Sequence, residues 1–358
     1  MHEEGRFAVD EQGSEPEEAN EWGPLLKDME KMVVKTDRYT PCGRGSMPLN
    51  RSIQEYIKYG IVSLDKSANP SSHEVVTWVK GILGCEKTGH GGTLDPQVSG
   101  VLTVCIDRAT RLTKSQQSLG KEYVCVIEFH GECDEQGFRN ACKRLVGALF
   151  QRPPLMCAVK RELRIRNVYG IEIVEFDVER KLGLFKVSCE AGTYVRTLCT
   201  HIGIFMGCGA VMKELRRVRS GMVDESQIYT LHDLLDAMYL LNTEKSEVAI
   251  RRVIKPLETL LVGYPRIMIK DSCVNAICYG AKLSMTGILR FDKNINVGGD
   301  VVVITTKGEA VALGVALASS PEMSIAQHGF VCKTKRVIME KDLYPRSWGM
   351  KNEYEVIE

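Results

Sequence analysis

The residues best suited to chemistry lie in one glycine-rich loop, residues 89–96 with the sequence GHGGTLDP. Asp95 is its only carboxylate, and Pro96 restricts the backbone of that aspartate. The glycines allow another molecule to approach the backbone closely. A carboxylate held this way suits attack on an electrophilic carbon or removal of a proton. An aspartate before proline is also common in turns, so the loop alone leaves both interpretations open.

The loop is not a phosphate-binding P-loop, because Lys87 and Thr88 precede its glycines instead of following them. A strand is predicted over 60–66, and Ser71 and Glu74 have the capping-box spacing of a helix that runs to about Gly84. A long loop over 86–100 then leads into a buried strand. Further strands are predicted at 101–106, 121–131, 169–178 and 184–190, and further helices at 135–150, 193–206 and 230–241.

The composition argues against a membrane protein and against a disulfide-stabilised secreted protein. Hydrophobic residues make up 44% of the 358, yet no run approaches the ~20 apolar residues of a membrane-spanning helix. The first ten residues contain no apolar signal segment. The 13 cysteines lack CxxC spacing, which indicates free thiols in the cytosol or nucleus and predicts no metal site.

The net charge of +1 conceals an asymmetry. Residues 1–30 contain ten acidic side chains against Arg6 and Lys27, so that segment carries −8 and the rest of the chain +9. The segment up to about residue 20 has few large apolar residues and is predicted to be disordered. The basic remainder suits a polyanionic partner.

Residues 89–112, GHGGTLDPQVSGVLTVCIDRATRL, resemble the catalytic motif of pseudouridine synthases related to the bacterial tRNA T-arm enzyme. Other segments resemble the dyskerin branch of that family, including LDKSANPSSHEVV (64–76), SCEAGTYVRTLCTHIG (188–203) and KRVIMEKDLYPRSWG (335–349). These segments keep the family's order and cover nearly all of residues 22–349. Two departures are Gly91, where the family usually has Ser, and Ser67, where it usually has Pro; we expect Gly91 to loosen the loop.

The resemblance implies a role for each residue of an active site. Asp95 matches the catalytic carboxylate, and Arg196 matches its cationic partner, which would offset the cost of enclosing that charge in a pocket. Tyr123 matches the tyrosine that stacks on the target base. Leu198 would line the pocket, and His90 would help to hold the extruded nucleotide. Without the resemblance, Arg196 is a surface charge, Tyr123 a strand aromatic and Leu198 a helix-core leucine.

Two basic runs predict contact with RNA phosphates, although a single run more commonly marks a solvated face. Residues 265–340 read as a separate small β-barrel that resembles a PUA domain, which implies a grip on the 3′ ACA end of a guide RNA. The predicted RNA-binding residues are Lys143, Arg144, Arg152, Lys160, Arg161, Arg164, Arg166, Arg216, Arg217, Arg219 and the PUA segment Tyr279, Gly280, Ala281, Lys282.

The predicted fold class is α+β, with a mixed-sheet pseudouridine synthase catalytic domain and a C-terminal small β-barrel. Its predicted divisions are an acidic tail (1–21), a dyskerin-type extension (22–60), the catalytic domain (61–250), the PUA domain (265–340) and a C-terminal tail (341–358).

The resemblance implies the catalytic subunit of a box H/ACA ribonucleoprotein in the nucleus and nucleolus. It would convert uridine to pseudouridine in rRNA under a guide RNA, with three small core proteins and no cofactor, and would support ribosome biogenesis. The alternatives are a standalone tRNA pseudouridine synthase, an inactive RNA scaffold and, more distantly, a glycoside hydrolase, which usually needs two carboxylates. The long extension and the C-terminal barrel favour the first over the standalone enzyme.

Overall fold

A computed structural model describes residues 23–154 and 160–346. The predicted acidic tail lies outside the described residues, as does the C-terminal tail beyond residue 346. The helices are α1 (Ile53–Lys58), α2 (Ser72–Leu83), α3 (Thr113–Gln117), α4 (Glu135–Arg144), α5 (Val195–Met206), α6 (Leu231–Thr243), α7 (Val248–Val253), α8 (Asp271–Cys278) and α9 (Ser320–Ile325).

The strands are β1 (Val33–Val34), β2 (Gly60–Lys66), β3 (Thr88–His90), β4 (Ser99–Ile106), β5 (Lys121–Phe129), β6 (Gly147–Gln151), β7 (Arg164–Asp177), β8 (Leu182–Cys189), β9 (Ala210–Ser220), β10 (Val223–Asp224), β11 (Ile254–Pro256), β12 (Arg266–Ile269), β13 (Leu283–Ser284), β14 (Ile288–Phe291), β15 (Asp300–Ile304), β16 (Ala310–Ala316) and β17 (Phe330–Val337).

The catalytic domain is built on a mixed sheet with the order β11-β2-β4-β9-β5-β8-β7-β6. Most neighbours are antiparallel, whereas β4 and β9 run parallel. One apolar core lies under α2 and α6, and a second lies under α4 and α5. Tyr123 on β5 packs against both cores, so the middle of the sheet is where the two halves of the domain meet.

The C-terminal domain is a second mixed sheet with the order β1-β14-β12-β15-β16-β17-β13. Its outermost strand β1 comes from the N-terminal extension, where Val33 pairs with Phe291 of β14. The α+β class, with a β-rich C-terminal domain, is confirmed. The catalytic sheet also includes β11, so it extends past the predicted boundary at residue 250.

The two domains and the N-terminal extension share one apolar core. It joins Leu25 and Leu26 of the extension, Ile61 and Val101 of the catalytic sheet, and Val302 of the C-terminal sheet. All five side chains are buried. The domains are therefore held together by packing, not by a flexible linker alone.

Most predicted elements are confirmed, including β2 over 60–66 and the capping box of Ser71 and Glu74 on α2. Two predictions are wrong. The loop predicted at 86–100 contains β3, which pairs with β4. The helix predicted at 135–150 ends at Arg144, because Gly147 has φ +112 and the five residues from it onward pair with β7 as β6.

Candidate active site

Asp95 follows β3 in a loop that is held from both sides. The buried Ser72 at the start of α2 accepts a hydrogen bond from the Leu94 N–H at 2.8 Å and donates one to the Leu94 carbonyl at 2.9 Å. On the other side, Lys66 donates to the carbonyls of Pro96 and Val98 at 3.0 and 2.7 Å. The backbone before and after Asp95 is therefore fixed, which limits where its carboxylate can point.

The Asp95 carboxylate pairs with Arg196 on the first turn of α5. Arg196 Nη2 donates to Asp95 Oδ2 at 2.5 Å. The start of α5 is itself fastened to β6, because the Tyr194 N–H donates to the buried Gln151 side chain at 2.9 Å. The structure brings these two predicted site residues together, although they lie 101 positions apart in sequence.

The pocket around Asp95 is open in the chain alone. The Asp95 side chain is 51% exposed, and that of Arg196 is 34% exposed. The resemblance implied a closed pocket in which Arg196 offsets desolvation; the exposure shows that water still solvates this carboxylate. The described residues thus leave the pair open to solvent.

Tyr123 lies directly opposite Arg217 where β5 pairs with β9. The tyrosine is half-buried, and the charge of Arg217 acts on its hydroxyl. Burial raises the pKa of Tyr123, while the charge of Arg217 acts in the opposite direction. The phenol thus has a fixed cationic neighbour that sequence reasoning did not assign to it.

The structure corrects the prediction that Arg217 contacts RNA. Its side chain is 1% exposed, and it donates to the carbonyls of Val101 at 2.8 Å and Gly92 at 3.0 Å. Gly92 lies three residues before Asp95, so the hydrogen bond from Arg217 holds the Asp95 loop close to β9. A basic run in sequence does not distinguish outward from inward side chains, which is why this arginine was misassigned.

Two further buried cations, Lys66 and Lys121, lie near Arg217 and were missed. Lys121 donates to the carbonyls of Gln116 and Leu119 at 3.0 and 2.6 Å. Burial, with a smaller contribution from the charge of Arg217, lowers the pKa of both lysines, that of Lys121 to about 8. The alternation of β2 and β5 was the available signal, since it places these lysines among inward-facing residues.

Leu198 differs from its predicted role, whereas the role of His90 stays a prediction. Leu198 is 0% exposed and belongs to the core under α5, so it does not line the open cleft. The prediction is corrected to the plainer interpretation of a helix-core leucine. His90 is half-buried on β3, and its pKa is lowered by burial and by Arg217. Both effects favour the uncharged form of this side chain.

The β6–β7 hairpin carries several of the predicted RNA-binding residues. Arg152, Lys160, Arg161 and Arg164 are exposed around its tip, and Arg161 donates to the Pro153 carbonyl at 2.9 Å. Arg166 lies farther from the tip, and its Nη1 is 3.7 Å from Oε1 of Glu190 in the segment that leads into α5. The hairpin thus presents cations on the side of the domain where α5 begins.

Lys143 and Arg144 lie elsewhere, at the end of α4. Arg144 covers the ring of Phe205 at 4.4 Å, near the C-terminal end of α5. Arg196 and Phe205 are nine residues apart on that helix, about 14 Å along its axis. The structure therefore does not bring Lys143 and Arg144 to the cleft with Asp95.

Arg216 and Arg219 on β9 are already paired with carboxylates. Arg216 binds Asp65 through two hydrogen bonds of 2.9 and 3.0 Å and also contacts Glu225. The exposed Arg219 lies 3.1 Å from Glu122. Phosphate contact by either arginine would have to replace or share these partners.

The predicted PUA segment borders a groove of about 660 Å³ between the two domains. Tyr279 is 48% exposed, and Lys341 lies 4.5 Å from the centre of its ring. Gly280 lines the groove as well, whereas Ala281 and Lys282 do not line it. Arg108 and Arg111 of the catalytic domain complete its basic wall and were missed, since they become neighbours of Tyr279 only in the folded chain.

Within residues 23–154 and 160–346, no group of three or more His, Cys, Asp or Glu side chains is arranged to hold a metal ion. In the same part of the chain, no helix combines the length and the apolar character needed to cross a membrane.

Four family models match the chain. They are the DKCLD (NUC011) domain at 19–76, the TruB family pseudouridylate synthase N-terminal domain at 80–195, the tRNA pseudouridylate synthase B C-terminal domain at 196–262, and the PUA domain at 265–338. Asp95 and Tyr123 lie in the second match, and Arg196 begins the third.

The chain is similar over most of its length to H/ACA ribonucleoprotein subunits. It is 58% identical to subunit CBF5 of Emericella nidulans, covering 92% of this chain and 69% of that protein. It is 54% identical to subunit CBF5 of Saccharomyces cerevisiae, covering 93% and 69%. Among Caenorhabditis elegans proteins, a putative H/ACA ribonucleoprotein complex subunit 4 is 53% identical, covering 93% and 75%.

Two solved structures share the fold. A chain of a Cbf5-Nop10-Gar1 complex is 43% identical with a TM-score of 0.80, covering 88% of this chain and 95% of that one. A chain of an H/ACA RNP bound to a substrate RNA containing 2'-deoxyuridine is 40% identical with a TM-score of 0.81, covering 88% and 97%.

Proposed function

The chain belongs to the CBF5 family of H/ACA ribonucleoprotein subunits, and on this basis we propose that it isomerises uridine to pseudouridine in ribosomal RNA at positions chosen by a guide RNA. The single observation that carries the catalytic part is the Asp95–Arg196 pair at the open cleft of a TruB-type domain. Asp95 is the carboxylate, Arg196 its partner and Tyr123 the aromatic that receives the target base.

The chemistry requires the C1′–N1 bond to break, the uracil to turn, and C5 to join C1′ while its proton leaves. An ionised carboxylate beside the sugar serves this sequence either as a nucleophile at C1′ or as a base. The exposure of Asp95 suits a substrate that enters from outside as an extruded nucleotide. The RNA then supplies a cover that the described residues do not provide.

Guide dependence is supported by the distribution of positive charge. The hairpin arginines offer phosphate contacts near α5, and the groove at Tyr279 offers a second basic site with an exposed aromatic ring. Two linked sites on one RNA raise the effective concentration of the second contact. A guide held at both would position the target uridine by base pairing, and we assign its 3′ ACA end to the Tyr279 groove.

The proposed particle contains three small core proteins and acts in the nucleolus during ribosome biogenesis. One solved relative is in a complex with Nop10 and Gar1, and another in a complex with Nop10. The competing function, a standalone tRNA synthase, would not need the extension that adds β1 to the C-terminal sheet.

The deciding experiment reconstitutes the particle and measures pseudouridine at one rRNA position with a matched guide, a mismatched guide or no guide. Efficient modification is expected only with the matched guide. Equal modification in all three, or modification of a tRNA T-arm transcript by the chain alone, would replace this proposal with the standalone enzyme.

A charge-reversal series separates binding from chemistry. Changing Arg152 and Arg164 to Glu should weaken RNA binding and reduce the salt slope by roughly one log–log unit for each phosphate that the hairpin no longer binds. An unchanged salt slope would show that the hairpin does not contact phosphates. Excising residues 265–340 is a poorer test, because it would open the core that joins both domains.

A further inference from the structure

Arg217 is a fully buried guanidinium with no carboxylate partner among the described residues. A guanidinium stays charged in proteins and can only donate hydrogen bonds. Enclosing such a charge is costly unless its donors are satisfied. Burial lowers the pKa of Arg217, with Tyr123 acting in the opposite direction. A charge buried at such a cost, next to the cleft, calls for a function other than packing.

Its partners come from three separate parts of the site. Nη2 donates to the Gly92 carbonyl in the Asp95 loop, and Nε donates to the Val101 carbonyl on β4. The third is Tyr123, which lies opposite Arg217 in the β5–β9 register and whose hydroxyl is within the influence of the guanidinium charge. A single side chain thus links the loop of the carboxylate to the ring that receives the base.

A glycine on β4 allows the backbone of Arg217 to approach closely. Gly100 has φ +101, and a Cβ at that position would lie 2.2 Å from the Arg217 carbonyl oxygen. A residue with a side chain at position 100 would therefore push β9 away from β4. At Gly92, with φ +142, a Cβ would lie 3.5 Å from Arg217 Nη1. That distance is an ordinary contact, so it is Gly100 that keeps the backbone of Arg217 close to β4.

We propose that Arg217 is a positioning residue for the isomerisation, which holds the Asp95 loop in place and acts through its charge on the Tyr123 hydroxyl. A guanidinium carries only donors, so its charge favours the Tyr123 oxygen as an acceptor on that side. The same guanidinium holds the Gly92 carbonyl, three residues before the carboxylate. This inference rests on the proposed function.

The test uses the full chain in the reconstituted particle, with single-turnover rates at saturating substrate and a matched guide. Arg217→Met and Arg217→Lys should both lower the rate, by about 100-fold if the reacting groups move by an ångström. Their guide-RNA affinity and salt slope should match those of the wild type. Arg219→Met, on the same strand but exposed, is expected to show the opposite signature, a salt slope reduced by roughly one unit.

A double substitution identifies the route of the effect. If Arg217 acts through the Tyr123 hydroxyl, Arg217→Lys should lower the rate less in a Tyr123→Phe background than in the wild type. Thermal unfolding of each variant shows whether it folds, and if Arg217→Met does not, the Arg217→Lys and Tyr123→Phe cycle still decides.

Three results would overturn the inference. They are a wild-type rate for Arg217→Lys, a salt slope reduced as in Arg219→Met, or rate losses that multiply independently with Tyr123→Phe. An inactive wild-type particle with a matched guide would instead remove the proposed function, and so the two failures are distinguishable.

Discussion

The buried charges beneath the Asp95 loop are of one sign, and those at the junction with the C-terminal domain are mostly of the other. Beneath the Asp95 loop lie the buried cations Lys66, Lys121 and Arg217, which donate mainly to backbone carbonyls. Backbone carbonyls satisfy their hydrogen bonds without neutralising their charge. A positive potential therefore remains under the cleft, where an ionised Asp95 and a polyanionic RNA both benefit from it.

At the junction the buried charges are the carboxylates Glu258, Asp271 and Glu309, together with Arg51. Arg51 of the extension binds Glu258 of the catalytic domain through two hydrogen bonds of 3.0 and 2.7 Å. The Ala310 N–H of the C-terminal sheet donates to the same carboxylate at 3.1 Å. Here one carboxylate is paired with the buried arginine, and the result is a connection between three parts of the chain. Burial of charge thus serves function in one region and assembly in the other.

The largest effect is expected at the negative group that faces the buried cations. Asp95→Asn should lower single-turnover pseudouridine formation between about 10²- and 10⁴-fold, because the amide keeps the size of the acid but loses its charge and nucleophilicity. Glu135→Gln is the matched control, since Glu135 pairs with Arg139 on the outside of α4. Wild-type turnover by the asparagine variant would remove Asp95 from the mechanism.

The junction should respond in stability. Arg51→Met leaves the Glu258 charge buried and unpaired, which should cost about 3–5 kcal/mol in the free energy of unfolding measured with urea. Replacing both partners by Met should recover much of that loss. At the exposed Glu135–Arg139 pair, Arg139→Met should cost less than about 1 kcal/mol. Equal losses for Arg51→Met and Arg139→Met would contradict the assigned role of the junction.

The pH dependence of stability tests the buried cations beneath the Asp95 loop. The folded pKa of Lys121 is about 8, against 10.5 for an unperturbed lysine, so the unfolded chain binds more protons between those values. The wild type should therefore gain stability as pH rises from 8 toward 10.5, by on the order of 2 kcal/mol from this group. Lys121→Met should lack that gain. Parallel curves for the two proteins would show that Lys121 is not buried in its charged form.

The smallest effect is expected at Gly91, where the sequence predicts a looser loop. A Cβ there would lie 3.3 Å from the Gln116 Cβ and 3.7 Å from the Thr103 Cβ. The Thr103 hydroxyl is buried without a partner among the described residues. Gly91→Ser should exceed Gly91→Ala by about 1 kcal/mol in stability, because only serine can bond to that hydroxyl. Equal stabilities would show that the hydroxyl is satisfied in another way.

Sequence patterns correctly predicted those elements whose structure is determined by residues close together in the chain. The capping box at Ser71 and the alternation of β5 led to correct assignments. The helix predicted to reach Phe150 was wrong because apolar spacing cannot reveal that residues 147–151 pair with a strand beginning at Arg164. The pairing of β6 with β7 determined the structure of that segment.

The residues of the candidate site also fall into two groups, those that motifs identified and those that only the folded structure revealed. Asp95 and Arg196 were identified from motifs and lie together as expected. Arg217 was misassigned, and Ser72, Lys66 and Gln151 were missed, because their roles depend on which face of an element meets the loop. Residue types indicated which chemistry the site could perform. The direction in which each side chain points became known only from the packed sheet.

The pairing of β1 with β14 also has a consequence for synthesis on the ribosome. Val33 emerges early, yet its partner Phe291 is made about 260 residues later, which takes roughly 13–50 s at 5–20 residues per second. During that interval Leu25 and Leu26 have no C-terminal sheet to pack against. The nascent chain thus carries an unpaired apolar segment through most of its translation. Chaperone protection of the N-terminal extension would therefore matter most before the C-terminal sheet has been made.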